Sequence, residues 1–592
     1  MFRVRLFALP ASLLALALAY PPHAADARLK LDRALREWIE HPTATTRVLI
    51  RARAAAADRV HQRVAQLATG EARLTSSTLI AAELDARAVR SLAADRDVTV
   101  ISSDSLVRTL GTSYLSEDVL LNTEGLVPRI YSSSGGVTVA VIDSGILPNA
   151  NVKVAVTYDF TAGKAAKVGA LDPFGHGTHV AGLAASGGAT SSDRYEGIAP
   201  GTRLIALRAL DQNGNGYTSA VIDAINFAVA NKSALKIDII NLSLGHPIYE
   251  PAATDPLVQA VENAVAAGIV VVASAGNFGG DPDTHVTGYG GITSPGNAPS
   301  AITVGAIDTM QTVTRSDDVV AWYSSRGPSW YDGFQKPDLV APGSHLVSDV
   351  PTSSTIAKEY PGGLMKTSGT TNLTKLSGTS MAAGVVSGVV ALMVQANRVS
   401  HPGAVLTPNA VKAILQYTAL PVGNEDTLTQ GAGALNAAGA VALAGAVDPT
   451  QPVGSWWLSD NVATSTTIGG QALAWGQHLV WGDRVVWGNQ IYSNDPAFAL
   501  RVVWGNRVVW GNRVVWGNST VWDGNAAVWG NRVVWGNSLI GETSGSNVDW
   551  GSLSNNVDAT RVVWGNLEGL SIAPTSMTWG NIERANGDLV AK

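Results

Sequence analysis

Between residues 137 and 306, short apolar runs alternate with helical patterns, and this alternation restricts the fold more than any other feature of the chain. Apolar runs without polar alternation are typical of strands that are buried on both faces. Strands of that kind, separated by helices, form a parallel sheet with helices on both sides, so the sequence predicts an α/β domain. Functional residues are then expected at the carboxyl ends of the strands. The apolar runs are 137–143, 204–210, 237–243, 269–274 and 301–306, and the helical patterns are 177–186, 219–231 and 256–267.

The first 27 residues predict a secretory signal peptide. Arg3 and Arg5 supply the positive start, 6–20 is an apolar run, and small residues follow where a signal peptidase would cut. A membrane anchor is the alternative, but the run is shorter than the ~20 residues that a span requires. We therefore expect a protein that is secreted or held at the cell surface.

A separate small unit is expected between the signal peptide and the α/β domain. Residues 44–108 alternate strand and helix patterns in the order β-α-β-β-α-β, which predicts a ferredoxin-like α+β sandwich. We place this unit within 28–125 and the α/β domain at 126–445.

Composition removes several function classes. The 592 residues contain no cysteine, which excludes disulfide scaffolds, thiolate metal sites and a cysteine nucleophile. The net charge is −6 and no long basic run is present, so nucleic acid is not an expected partner.

Three motifs in the α/β domain together supply the groups that serine hydrolysis needs. Asp143 lies in Val-Ile-Asp-Ser-Gly, His176 in Gly-His-Gly-Thr-His, and Ser380 in Ser-Gly-Thr-Ser-Met-Ala. Each residue alone has a simpler explanation, as a turn residue, a buried histidine or a helix cap. Together they provide a nucleophile, a base, and a carboxylate that fixes the tautomer of the base. Asn277, which follows another buried strand, has an amide group that can donate a hydrogen bond to a developing oxyanion.

These four motifs, in the order Asp, His, Asn, Ser, resemble those of the subtilisin-like serine proteases, the subtilases, over about 126–445. The resemblance implies that Asp143 orients His176 and that His176 acts first as general base and then as general acid. It also implies that Ser380 is the nucleophile and that Asn277 completes the oxyanion hole with the Ser380 N–H.

The same resemblance assigns the residues that bind the substrate peptide. The segment Ser243, Leu244 and Gly245 resembles the family's substrate-binding strand, Gly216 is expected at the opposite edge of the cleft, and Thr293 near the pocket for the side chain preceding the cut bond. No acidic residue is evident at that pocket, so a preference for basic side chains is not expected.

The resemblance further implies that 44–108 is an inhibitory propeptide, which assists folding and blocks the cleft until it is cut. Many subtilases bind structural calcium, which would be the one cofactor here. However, the turn that starts at Asp211 has Ile222 where a calcium loop carries its bidentate glutamate. We therefore predict a surface turn at Asp211 and no metal among the catalytic residues.

One departure from the family pattern lies beside the nucleophile. The family continues its serine motif with Pro-His, whereas this chain has Gly384 and Val385. Because the family accepts proline at this position, the sequence predicts that Gly384→Pro is tolerated.

The end of the chain is a different kind of sequence. Residues 446–470 are polar and irregular, which predicts a linker, and 471–592 repeat the hexapeptide Arg-Val-Val-Trp-Gly-Asn. The Gly-Asn pairs favour a meander of antiparallel hairpins, while the even period favours a β-solenoid, and a poorly ordered region is the third alternative. The regular Trp and Arg residues can contact glycan, the cell surface or protein, or simply pack together. We expect a chain ending near 450 to cleave small peptides.

The sequence as a whole predicts a secreted serine endopeptidase made as a zymogen, which hydrolyses peptide bonds through an acyl-enzyme. Its expected partners are protein or peptide substrates and its own propeptide, an intramolecular inhibitor. Two alternatives stay open: a surface adhesion or display protein with a weak or inactive protease domain, and an esterase that uses the same triad.

Overall fold

The computed structural model describes residues 27–487 with short gaps, which are 41, 43, 71, 110–119, 127–135, 189–194, 281–285, 367–370, 453–454, 456, 460–461 and 482–483. Almost all of the predicted signal peptide, and every repeat after 487, lie outside the described residues.

The N-terminal unit is a four-stranded antiparallel sheet with three helices packed on it. The strands pair in the order β2-β3-β1-β4, and the chain follows the order β-α-β-β-α-β. This is the strand and helix order that the sequence predicts, and helix α1, which precedes it, was not predicted. The elements are α1 (Arg33–Trp38), β1 (Thr46–Ala52), a 3₁₀ turn (Ala54–Ala56), α2 (Ala57–Leu67), β2 (Arg73–Ser76), β3 (Leu79–Leu84), α3 (Ala86–Ala93) and β4 (Val98–Ser103).

A nine-stranded, largely parallel sheet forms the centre of the next domain. Its order is β16-β15-β13-β11-β6-β9-β7-β8, and β17 also pairs with β15. The five strands that the sequence predicts are the five central ones, β15, β13, β11, β6 and β9, which pair in parallel. The sheet is formed by β6 (Thr138–Asp143), β7 (Val154–Asp159), β8 (Ala166–Val168), β9 (Arg203–Arg208), β11 (Ile239–Leu242), β13 (Val270–Ser274), β15 (Ile302–Asp308), β16 (Val319–Val320) and β17 (Leu339–Pro342).

Helices cover both faces of this sheet. Within the described ranges, one helix, Thr379–Ser400, is long and apolar enough to cross a membrane by length and composition, and 89% of its most apolar window is buried inside the domain. The helices are α4 (Leu120–Thr123), α5 (His176–Ala185), α6 (Thr218–Ala230), α7 (Lys232–Leu235), α8 (Pro256–Ala266), α9 (Thr355–Glu359), α10 (Thr379–Ser400), α11 (Pro408–Thr418), α12 (Thr427–Gln430) and α13 (Ala437–Ala446).

Two smaller sheets lie beside the central one. The first joins the N-terminal unit to the main domain, because its strand β5 (Leu106–Thr109) pairs antiparallel with both β10 (Asn215–Tyr217) and β12 (Leu244–Pro247). A short strand, β14 (Thr293–Ser294), completes this sheet beside β12. The second sheet pairs β18 (Leu346–Pro351), β20 (Thr371–Leu376) and β19 (Leu364–Lys366), the last preceded by a 3₁₀ turn (Pro361–Gly363).

The segment after α13 differs from the linker that we predicted for 446–470. Trp457 and Trp475 are 2% and 5% exposed and belong to the main hydrophobic core, as does Ile468. The segment also contains the antiparallel pair β21 (Ser465–Ile468) and β22 (Gln471–Ala474). The linker was predicted from the polar composition of 446–470. A few large apolar side chains nevertheless bury this segment against the domain.

The first of the hexapeptide repeats forms an antiparallel hairpin. Strands β23 (His478–Trp481) and β24 (Arg484–Trp487) pair with Trp481 opposite Arg484. An antiparallel hairpin is the unit from which the predicted meander would be built. The later repeats lie outside the described residues.

Candidate active site

Asp143 and His176 form a buried pair at the carboxyl end of the central sheet. Asp143 is the last residue of β6, and His176 is the first residue of α5. Both carboxylate oxygens of Asp143 lie 2.9 Å from His176 Nδ1, and the two residues are 0% and 2% exposed. A carboxylate at this distance fixes the imidazole tautomer, with the proton on Nδ1 and a basic Nε2.

Small residues allow the two segments of this pair to approach each other. A Cβ atom on Gly177 would lie 2.1 Å from the Gly145 carbonyl oxygen and 3.1 Å from the Asp143 Cβ. Any side chain at 177 would therefore push α5 away from the end of β6. The small residues beside Asp143 and His176 in the sequence motifs thus have a direct structural reason.

Ser380 lies in the first turn of α10, and its hydroxyl donates to the Ser243 carbonyl at 3.0 Å. The Ser243 hydroxyl oxygen lies 2.9 Å from the Ser380 carbonyl oxygen and 3.0 Å from Asn241 Oδ1, so its single proton is shared between these two acceptors. His176 Nε2 has no hydrogen-bond partner among the residues that the structure describes. Ser380 and His176 are therefore not hydrogen-bonded to each other in this structure.

The Asn277 amide is oriented by Thr379, the residue before Ser380. The Thr379 N–H donates to Asn277 Oδ1 at 3.0 Å and the Thr379 hydroxyl donates to the same oxygen at 2.9 Å. Because both contacts occupy the amide oxygen, the Nδ2 group is left to donate elsewhere. Thr379 was missed as an orienting residue in the sequence, where it reads only as part of the serine motif.

The residues expected to bind the peptide flank one strand of the N-terminal unit. Gly216 on β10 lies opposite Val107, and on the other side Leu244 and Gly245 on β12 lie opposite Thr109 and Arg108. Strand β5 therefore occupies the channel between the two segments, as an extended peptide would.

Thr293 lies next to this channel. It is buried, and its hydroxyl donates to the Ala275 carbonyl at 3.3 Å. A Cβ on Gly245 would lie 2.7 Å from Thr293 Oγ1, and one on Gly276 would lie 2.8 Å from Thr293 Cγ2. Thr293 thus packs against two glycines beside Asn277, where the sequence places a side-chain pocket.

Gly384 packs against the helix that carries His176. A Cβ at this position would lie 3.0 Å from the Val180 carbonyl oxygen and 3.2 Å from Val180 Cγ1. Since the proline ring includes a Cβ, this spacing opposes our prediction that Gly384→Pro is tolerated.

The second histidine of the motif is separate from the first. His179 is fully buried, and its Nε2 lies 3.1 Å from the Thr374 carbonyl oxygen. Burial, with a smaller contribution from His176, lowers the pKa of His179 to about 3 and keeps the ring neutral. In the part of the chain that the structure describes, no group of three or more His, Asp or Glu side chains could hold a metal ion.

The turn that starts at Asp211 closes on itself. Asp211 Oδ1 accepts the Asn213 N–H at 2.8 Å and the Asn215 N–H at 3.0 Å, and the Asp211 N–H donates to the Asn215 carbonyl at 2.7 Å. These bonds form a tight turn that leads into β10, the edge of the channel.

Comparison with known proteins identifies the family of this chain. The Subtilase family model matches residues 134–441, more than half of the chain. Serine protease AprX of Bacillus subtilis is 37% identical over 377 residues, which cover 62% of this chain and 78% of that protein. Subtilisin E of the same species is 33% identical over 347 residues, which cover 58% and 76%.

The structure of fervidolysin from Fervidobacterium pennivorans, described as a keratinolytic enzyme related to subtilisin, supports the fold alone. It matches with a TM-score of 0.52 at 22% identity, over 67% of this chain and 61% of that one. The family match, the relatives and the largely parallel sheet flanked by helices lead to one conclusion: the chain belongs to the subtilase family and is a subtilisin-like serine endopeptidase.

Proposed function

We propose that this chain is a secreted endopeptidase, made as a zymogen, in which Asp143, His176 and Ser380 form the catalytic triad. The observation that carries the proposal is the buried Asp143–His176 pair at the end of β6, with Ser380 at the start of a helix packed against α5. The predicted signal peptide supports secretion.

Hydrolysis would proceed in two steps. Ser380 Oγ attacks the carbonyl carbon of the substrate while His176 Nε2 takes the hydroxyl proton, and Asp143 stabilises the imidazolium that forms. The imidazolium then gives this proton to the leaving amine, and an ester remains on Ser380. Water, activated by the same imidazole, hydrolyses the ester and restores the serine.

The oxyanion of each tetrahedral intermediate would be stabilised by two donors. One is the Ser380 N–H in the first turn of α10. N–H groups in the first turn of a helix have no carbonyl partner within that helix, and they lie at the positive end of its dipole. The other is the Asn277 Nδ2 group, whose direction is fixed by the two Thr379 bonds to Oδ1. Donors held in place before the reaction need no reorganisation when the charge develops.

The N-terminal unit is proposed as the propeptide, because it lies over the channel and contributes β5 to it. Leu49, Leu79 and Ala81 of its sheet share a buried apolar cluster with α6 and α8. A chain segment that fills the peptide channel excludes other substrates as long as it stays bound.

Polar contacts to α6 extend this interface beyond the apolar cluster. Asp104 accepts the Ser219 N–H and the Ser219 hydroxyl, both at 2.8 Å, at the start of α6. Arg73 forms an ion pair with Asp223 on the same helix. A carboxylate at a helix N-terminus gains from the helix dipole, so Asp104 both caps α6 and ties the two units together.

The experiment that tests the proposal compares the full chain with Ser380→Ala. We expect the wild-type chain to cleave a peptide library and to release a fragment the size of its N-terminal unit, and the variant to do neither. Peptide cleavage that survives in Ser380→Ala would contradict the triad. A wild-type chain that cleaves esters but not peptides would support the esterase alternative, and one that cleaves neither would support the adhesion alternative.

The repeat tail is proposed to contact a cell surface, a glycan or a large substrate. Its Trp and Arg residues recur at fixed spacing, and its repeating unit carries no nucleophile or general base. Binding of a chain with and without residues 488–592 to cell-wall material tests this role. Equal binding by the two chains would contradict it.

A further inference from the structure

Asp172 lies in the loop before α5, four residues ahead of His176, and its side chain is enclosed between the segments that carry Asp143 and His176. The residue is 4% exposed. It takes no part in the reaction steps described above, yet its hydrogen bonds reach both segments.

Four donors surround the Asp172 carboxylate. Oδ1 accepts the Ser144 hydroxyl and the Gly175 N–H, both at 2.8 Å. Oδ2 accepts the Thr178 N–H at 2.8 Å and the Thr178 hydroxyl at 2.6 Å. An ionised carboxylate satisfies four donors, whereas an amide of the same shape would direct its own N–H groups at two of them. Burial raises the pKa of Asp172, and these hydrogen bonds oppose the rise, that of the Thr178 hydroxyl most strongly.

One pair of these bonds caps the helix that carries the imidazole. The N-cap residue of α5 is Gly175, which has a φ of 103° and no side chain to offer. Asp172 supplies the missing acceptors to the Gly175 and Thr178 N–H groups, at the end of the helix where the dipole favours negative charge. Because His176 is the first residue of α5, this cap fixes the backbone from which the imidazole projects.

The bond from the Ser144 hydroxyl connects Asp172 to the segment that carries Asp143. The Ser144 hydroxyl donates to Asp172 and accepts the Gly177 N–H at 3.0 Å, so it joins the two segments. The Ser144 N–H donates to Asp143 Oδ1 at 2.7 Å. Asp172 therefore acts on Asp143 through one residue, and on His176 through the start of its helix.

We propose that Asp172 is a positioning residue, which holds Asp143 and His176 in the relative orientation that lets the imidazole accept the Ser380 proton. The inference rests on the proposed function, because it requires His176 to be the general base. A displacement of about 1 Å in a catalytic group can cost about 100-fold in rate. The strands that bind the peptide, β10 and β12, are separate segments, so substrate binding should be spared.

The test compares the wild-type full chain with Asp172→Asn and with a matched cap variant, Thr407→Ala. Thr407 caps α11, where its hydroxyl oxygen accepts the Ala410 N–H at 3.1 Å. Active sites are counted with an organophosphorus fluoride, and kcat, KM and Tm are measured on a short chromogenic peptide. We expect kcat of Asp172→Asn to fall about ten- to a hundredfold with little change in KM. For Thr407→Ala we expect a lower Tm, with kcat and KM unchanged.

A second variant keeps the inference testable if Asp172→Asn does not fold. Ser144→Ala keeps the two Asp172 bonds that cap α5 and removes the hydroxyl that links β6 to Asp172 and to the Gly177 N–H. We therefore expect a lower kcat per active site with little change in KM, and a Tm loss no larger than that of Asp172→Asn. Wild-type kcat in either variant, when folded, would overturn the proposal. Failure of the wild-type chain to cleave the peptide would overturn the proposed function, and this inference with it.

Discussion

The segment from 447 to 478 should be required for the stability of the protease domain, and removing it tests the packing directly. A chain that ends at 450 loses Trp457, Ile468 and Trp475 from the main core. The Trp475 ring lies edge-on to the Tyr417 ring, with 6.1 Å between the two ring centroids, and its indole N–H donates to the Thr466 hydroxyl at 2.8 Å. Replacing one buried tryptophan by alanine costs about 3–5 kcal/mol.

The segment is also tied to the domain through its backbone. The Gly476 N–H donates to the Ala419 carbonyl at 2.7 Å, and the Gln477 N–H donates to the Tyr417 carbonyl at 3.0 Å. Truncation at 450 would therefore expose apolar surface on the domain and leave two carbonyls of 417–419 without these partners.

The assay measures Tm and peptide hydrolysis for chains that end at 450, 487 and 592, and for Trp475→Ala in the full chain. A destabilisation of 1 kcal/mol lowers the Tm of a large domain by about 2 °C, so we expect Trp475→Ala to lower Tm by at least about 6 °C. The chain ending at 450 should lose more, and the one ending at 487 should match the full chain. If the chain ending at 450 keeps its Tm and its activity, the segment is a linker after all and this reasoning is refuted.

Three further predictions follow from individual contacts. Asn277→Ala should lower kcat about 10²–10³-fold with little effect on KM, the loss known for removing one such donor in subtilisin, a relative; a change below about tenfold would exclude Asn277 from the oxyanion hole. Burial, together with the charge of Asp255, raises the pKa of Glu250 to about 8, so the folded chain retains a proton there that the unfolded chain has lost. Stability should therefore fall as the pH rises from about 5 to 8, and Glu250→Gln, in a chain inactivated at its nucleophile, should remove that loss in denaturant titrations at the two pH values. Gly384→Ala should destabilise the domain by about 1–3 kcal/mol, because its Cβ would press on Val180, and an unchanged Tm would show that the two helices separate easily.

The centre of the fold was readable from the sequence, and its edges were not. Strands β6, β9, β11, β13 and β15 are buried on both faces, which forces an uninterrupted apolar run that is easy to recognise. Strands at or near the edges, such as β8 and β16, are short and partly exposed, so they carry no such run.

The sequence singles out the candidate residues of the site, but it does not reveal the contacts that connect them. The motifs identify Asp143, His176, Ser380 and Asn277 because small residues surround each one, and the close approach at Gly177 explains that need. The cap that Asp172 provides depends on a hydrogen-bond network between two segments, which spacing alone does not reveal. The direction of the Ser380 hydroxyl is likewise a property of the folded state.

The most direct test of the central claim is the covalent labelling of the nucleophile. The full chain is treated with an organophosphorus fluoride, digested, and analysed by mass spectrometry beside Ser380→Ala and Asp143→Asn. The account predicts one phosphonylated peptide, which contains Ser380, no label in Ser380→Ala, and much slower labelling in Asp143→Asn, since the carboxylate fixes the imidazole tautomer. A label on another serine, or equal labelling rates in the wild type and Asp143→Asn, would contradict it.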